Sequence, residues 1–476
     1  MNSSLASKDA RVFYEVLSVL ASTEFAVPLA LLLPALTAVL LAARPARWSE
    51  PTRWLGPLTL VVSGAWLLGV WPAIVAAPTT LALGAMLPFG TLRIDALGVL
   101  AALAAVSFLL LLWSRGEDHD RPAQRDAARL VLATAAMALP LAGDPATVAV
   151  FGELAVMAFL NLARAYRQLP APPGVRLAQA LGSILVWAGV LLWYRATGDL
   201  CCEANGATPT ALPSVALVYG GFALKLAPLP FAPWRAPPTV VMPARLAALA
   251  SGPLVSGLAL ALARWALPLA DTGVVLMALG LFAAALGTFG LWRACTLPQA
   301  LARWSTAQLG LALLAFALPT PIGGFLGVAW LLHRLALLAA GAGLATRWNG
   351  PWERLRGVAR DAPLAVAGVT VLALSLLSVP PLPGFWLRIQ LVFAWAAAGT
   401  PGHLLVMAAV LLATLGEAGA LLRAMQHLYD LPAASGSTAF PEWRLPTWRD
   451  TALTATIAVL ALGAAFALPA VFVSPW

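Results

Sequence analysis

Apolar residues run in long blocks along nearly the whole chain, broken by short polar segments rich in arginine, proline and glycine. Each block is long enough to cross roughly 30 Å of hydrocarbon as a helix rising about 1.5 Å per residue. The pattern predicts about fourteen spanning helices. They lie near 25–43, 55–77, 95–113, 127–143, 145–164, 175–194, 212–229, 246–267, 273–292, 299–318, 323–345, 363–397, 401–426 and 451–473. The longest polar connections, 114–126 and 429–448, are short and carry Pro, Gly or charge, so they read as loops between helices. The expected fold class is all-α, a polytopic membrane protein.

Two blocks carry prolines where a helix should be continuous. In 219–238, YGGFALKLAPLPFAPWRAPP, an apolar helix runs into Lys225 and then meets Pro228, Pro230 and Pro233. In 374–393, LSLLSVPPLPGFWLRIQLVF, Pro380, Pro381, Pro383 and Gly384 fall in mid-span and Arg388 follows. Proline removes an amide donor and clashes with the preceding turn, so both helices are expected to break. Two broken helices about five spans apart, each with a basic residue beside the break, suggest two inverted repeats of about five helices with polar sites at the discontinuities. The chain divides accordingly into 1–126 (three N-terminal helices), 127–267 and 268–428 (the two repeats), and 429–476 (a loop and a last helix).

Composition narrows the class. The chain is 61% hydrophobic and 10% charged, with a mean hydropathy of +0.86, a balance foreign to soluble domains. The net charge of +9 does not point to nucleic acid, because the basic residues are spread over loops. Their bias is topological. Arg44, Arg47 and Arg53, then Arg115, Arg121 and Arg125, then Arg347, Arg354, Arg356 and Arg360 follow odd-numbered spans, which places those loops in the cytoplasm and both termini outside a bacterial inner membrane. Trp54, Trp113, Trp193 and Trp476 at span ends suit interfacial anchoring. Lys8, Asp9, Arg11 and Glu15 make the first residues too polar for a cleaved signal peptide. Cys201, Cys202 and Cys295 fit no cluster, zinc or haem spacing, so no cofactor is expected in this chain.

Ionisable groups at membrane depth are the candidate chemistry, since each costs at least about 2.5 to 3.5 kcal/mol there and needs a partner inside the protein. They are Glu153, Lys225, His333, Arg334, Arg388 and Glu417. Glu153 is the natural counter-charge for Lys225, either as a responsive pair or as a static ion pair; the alternative for Lys225 is snorkelling to the interface. His333 suits a proton relay, because imidazole titrates near neutral pH, and it suits equally a hydrogen-bonded core role. Arg334 and Arg388 keep their protons and act as fixed charges. Glu417 has two candidate partners, Arg388 and Arg423, the latter nearly two turns along the same helix. Asp95 reads as a helix cap.

These residues resemble a family, the antiporter-like membrane subunits of respiratory complex I, shared with multisubunit cation/proton antiporters and membrane-bound hydrogenases. The resemblance runs from about residue 90 to 430 and rests chiefly on GFALKLAPLPFAPW (221–234) and LSLLSVPPLPGFWLR (374–388). FGELAVMAF (151–159), VWAGVLLWYRATGDL (186–200) and ARWSTAQLG (302–310) add to it, and the length and the basic residue at 388 look most like the N-type subunit of NADH-quinone oxidoreductase. It implies a proton path along Glu153, Lys225, His333 and Arg388, coupled to redox chemistry in other chains; Arg334 and Glu417 are secondary candidates from their place at membrane depth. The chain itself would be a non-catalytic membrane subunit, with other membrane subunits, lipid, and protons or sodium ions as its partners. The chain departs from the pattern at four places. The lysine expected near 253 or 254 is Pro253 or Leu254, the lysine four residues past His333 is Leu337, the histidine of Pro-Phe-His is Ala232, and a Lys-Arg pair is Pro298 and Gln299. The relay has a gap, which keeps two alternatives open: a scaffold with a vestigial ion path, and a subunit of a cation/proton antiporter or inorganic-carbon transporter.

Overall fold

The computed structural model describes residues 22–43, 54–83, 90–113, 122–165, 173–198, 212–226, 248, 250–266, 272–348, 350–399, 402–430, 451–452 and 454–457. They form two compact units, one of residues 1–170 and 190–205, the other of 171–189 and 206–476.

In the first unit, α1 (Thr23–Ala43) and α2 (Leu55–Gly69) are joined by a hydroxyl bond of 3.1 Å between Thr37 and Thr59. The block at 55–77 is two helices, α2 and α3 (Trp71–Ala76), with Pro72 in the first turn of the second. Next comes a feature at odds with the all-α expectation. Strands β1 (Thr79–Ala82) and β2 (Thr91–Ile94) pair antiparallel, Thr79 opposite Ile94 and Ala82 opposite Thr91. Each strand is only four residues long and lies between apolar helices, too short for its alternation to stand out. Helix α4 (Ala96–Leu111) then starts where its cap dictates: Asp95 Oδ1 accepts from the Gly98 amide at 2.8 Å.

Helices α5 (Pro122–Ala138) and α6 (Pro145–Ala165) follow. Asp144, 1% exposed, sits at the start of α6 and anchors the hairpin. Its carboxylate accepts from the Thr147 amide (2.8 Å) and hydroxyl (2.6 Å), and from the Thr91 amide (2.5 Å) and hydroxyl (2.9 Å). One acid therefore caps a helix and ties down a strand.

The second unit holds α8 (Leu212–Leu226), a π turn (Ala250–Leu254) leading into α9 (Val255–Ala266), α10 (Thr272–Trp292), α11 (Leu297–Phe316) and α12 (Pro321–Arg347). Helix α7 (Pro173–Thr197) lies before them in the chain. The start of α11 is fixed by Thr296, whose side chain accepts from the Gln299 amide. Small residues let α10 and α11 approach closely: a Cβ at Gly280 would lie 2.9 Å from the Gly310 carbonyl oxygen.

A short arginine-bearing segment follows, a 3-10 turn at Trp352–Leu355 and α13 (Val358–Asp361). It meets α14 (Pro363–Leu376) at 117°. The predicted break is then seen: α14 ends at Leu376 and α15 (Pro383–Ala398) begins after six intervening residues, ahead of α16 (His403–Tyr429). Five helices among the described residues are long and apolar enough to cross a membrane, six if the bent pair counts as one span. Outward apolar side chains such as Leu58, Leu191, Phe289, Leu411 and Leu415 supply faces that hydrocarbon can solvate.

Replacing Asp144 by Ala strands several buried donors, each costing about 1–3 kcal/mol. The expected outcome is a clearly lower unfolding temperature for the detergent-solubilised chain, with Asp144→Asn falling in between. An unchanged transition would remove the anchoring role.

Candidate functional site

The break between α14 and α15 organises the site. Helix α14 closes with the Ser378 amide donating to the Ser375 carbonyl (3.2 Å) and the Val379 amide to the Leu374 carbonyl (3.1 Å). This pattern needs a left-handed residue at its centre, where glycine is usual. Here it is Ser378, at φ 58°, a conformation costing a non-glycine residue about 1–2 kcal/mol. Its hydroxyl donates to the Gly384 carbonyl at 3.2 Å, pinning one side of the break to the other. Gly384 is required there: any Cβ would collide with the Ser375 carbonyl oxygen.

Three sequence-derived candidates converge on this break. His333, from α12, meets the Ser375 hydroxyl through Nε2 at 3.0 Å, and Trp330 lies edge-on to its ring at 6.0 Å. Its Nδ1 is buried with no partner among the described residues. One turn past Gly384, Arg388 is 5% exposed and pairs through Nη2 with Glu417 of α16, which is fully buried. The choice of partner for Glu417 is thereby settled: Arg423 instead donates to the Trp292 carbonyl at 2.7 Å. Gln308 of α11 completes the cluster, its Nε2 donating to both Glu417 oxygens at 3.1 and 3.2 Å. Arg388 Nε and Nη1 have no hydrogen-bond partner among the described residues. Gln308 lies in the ARWSTAQLG stretch, where the signal for it was available, but an amide carries no charge to mark it.

Arg334 points elsewhere, as its 100° offset from His333 requires. It donates from Nε to the Ser305 carbonyl (2.9 Å), and from Nη1 to the Ser256 hydroxyl (2.9 Å) and the Gly252 carbonyl (3.4 Å). A cation held by carbonyls and a hydroxyl is a fixed charge joining α12 to α11 and to the π turn before α9. One turn beyond His333, Leu337 faces an apolar cavity. Glu153 is half-buried in α6 of the first unit. Lys225 is the penultimate residue of α8; its side chain, the prolines after it, and hence the expected pair with Glu153 lie outside the described residues.

Residues 142–416, more than half of the chain, match the family of NADH:quinone oxidoreductase and Mrp antiporter transmembrane proteins. The chain belongs to this family. It is similar to NADH-quinone oxidoreductase subunit 14 of Thermus thermophilus, 32% identical over 233 residues, which cover 48% of this chain and 53% of that one. It is also similar to subunit N of Salinispora tropica, 29% identical over 311 residues, covering 58% and 60%. These matches span little more than half the length of those curated relatives. Among solved structures, the fold matches a chain of respiratory complex I from Thermus thermophilus at a TM-score of 0.74, with 22% identity and coverage of 92% and 96%. It matches a chain of the Mrp complex from Dietzia sp. at 0.75, with 19% identity and coverage of 94% and 96%. Membership makes this a multi-pass, antiporter-like membrane protein.

Within that family frame the Arg388–Glu417 pair has a measurable weight. Removing one partner of a buried pair costs about 3–5 kcal/mol, whereas replacing both by apolar residues is often neutral. Glu417→Leu alone is expected to destabilise the purified protein strongly, and Arg388→Met with Glu417→Leu to recover most of the loss. Additive losses in the double variant would show that the two side chains do not act as a pair.

Proposed function

We propose that this chain is an antiporter-like subunit of a multisubunit complex of the complex I type, and that it moves protons along a row of buried polar groups, driven by redox chemistry in other chains. The observation carrying this reading is the Arg388–Glu417–Gln308 cluster, buried beside a helix break on which His333 also rests. A bundle built only for stability gains little from a desolvated ion pair, because apolar residues fill the same volume at no greater cost. A proton path needs such groups.

The roles follow from the chemistry of each side chain. Arginine does not release its proton, so Arg388 is the fixed charge of its pair and Glu417 the group that takes and gives one. With Glu417 Oε2 held by Arg388 and Gln308 donating to both oxygens, a proton arriving at Oε1 neutralises the acid and frees the guanidinium to turn toward another partner. His333 precedes it, able to accept at one ring nitrogen and donate at the other. Arg334 places a permanent cation against Gly252 and Ser256, next to positions 253 and 254 where the resemblance expects a lysine. The family resemblance adds Glu153 and Lys225 as further charges of the path. In the same reading the chain has about fourteen spans, two inverted repeats, and both termini on the outer side of a bacterial inner membrane. Its partners are further membrane subunits, and the relatives from complex I and the Mrp complex support that assignment.

A second reading, a scaffold with a vestigial path, is favoured by one observation: Leu337 lines an apolar cavity where the resemblance expects a lysine. One experiment separates the two. In the assembled complex, Lys225→Ala is expected to abolish or sharply reduce proton translocation at normal assembly and normal redox turnover. Full translocation would leave only the scaffold.

A further inference from the structure

The cavity lined by Leu337 is a site in its own right. It lies among α10, α11, α12, α14 and α16 and has a cavity volume of about 70 Å³, several times the roughly 10–15 Å³ that a single water needs and the size of a narrow slot. Its walls are leucine, alanine and tryptophan, with Arg423 the one charged lining residue among those described. It lies at helix ends. Trp348 and Trp352 line it, and Trp292, whose carbonyl Arg423 grips, ends α10. Tryptophan and arginine at helix ends mark the membrane interface. From Trp348 the α12 wall runs back to Leu337, a depth of about 16 Å at 1.5 Å per residue, close to the thickness of one leaflet of a hydrocarbon core of about 30 Å.

One further feature describes the occupant. Arg423 is exposed, and its bond to Trp292 uses one of five guanidinium N–H donors. An apolar slot one leaflet deep with a cation at its edge matches an apolar chain and an anionic headgroup. We propose that the cavity holds an acyl chain of an anionic phospholipid whose phosphate lies on Arg423. Exposed Arg354, Arg356 and Arg360 on the neighbouring bent segment add positive charge, partly offset by Glu353 and Asp361, and Arg356 is itself paired with Asp430 at 3.8 Å. The specific contact is therefore Arg423. The proposal does not depend on whether the polar row conducts.

The test uses the full chain in nanodiscs containing phosphatidylglycerol or phosphatidylethanolamine with a diazirine on the acyl chain. The expected result is photolabelling of peptides from 337–348 and 420–428, stronger with phosphatidylglycerol. Ala424→Phe and Ala373→Phe, which fill the cavity, are expected to cut that labelling severalfold. Arg423→Gln, which keeps an amide donor for the Trp292 carbonyl, should reduce phosphatidylglycerol labelling about fivefold and leave phosphatidylethanolamine labelling unchanged. Equal labelling by the two lipids with no effect of Arg423→Gln would overturn the proposal in favour of a neutral apolar occupant. Labelling confined to outward residues such as Leu411 and Leu415 would overturn it in favour of bulk lipid.

Discussion

A charge carried into hydrocarbon must be answered from inside the protein, and the second unit is built around that requirement. Arg388 is answered by an acid, Glu417 by Arg388 and Gln308, and Arg334 by two carbonyls and a hydroxyl. The broken backbone between α14 and α15 obeys the same rule, its freed groups bonding across the turn through Ser375, Ser378 and Gly384. Each solution draws on a different helix. The polar groups therefore cross-brace α9, α11, α12, α15 and α16.

Helix α12 shows where polarity stops. His333 and Leu337 are one turn apart on one face, the first at the break and the second against the apolar cavity, while Arg334 projects toward α11 and the π turn. A polar row and an apolar chamber thus meet on a single helix within one turn.

How much of this was legible in the sequence depended on how local each cause was. Proline chemistry is local, so the interruption after Leu376 and the Asp95 cap could be read directly, and apolar run length placed most helices within a few residues. The Arg388–Glu417 pair stood as one of two choices, although the spacing of Glu417 and Arg423 already told against the intrahelical contact. Arg334 could be read as a fixed charge, but carbonyl partners leave no mark in a sequence. The hairpin was missed because four-residue strands between apolar helices carry too little alternation. Asp144 escaped notice for a related reason: a lone acid between two helical blocks looks like a loop charge until the fold brings Thr91 to it. The Glu153–Lys225 pair remains a reading of the sequence and the family.

The central claim is that the buried groups at the α14–α15 break belong to a hydrated path. The most direct measurement is a density map of the assembled complex sharp enough to show ordered water. The account predicts waters on Arg388 Nε and Nη1 and on His333 Nδ1, joined in a file that runs on toward Lys225. Apolar side chains packed dry against those three nitrogens, with no water between Lys225 and Arg388, would contradict it.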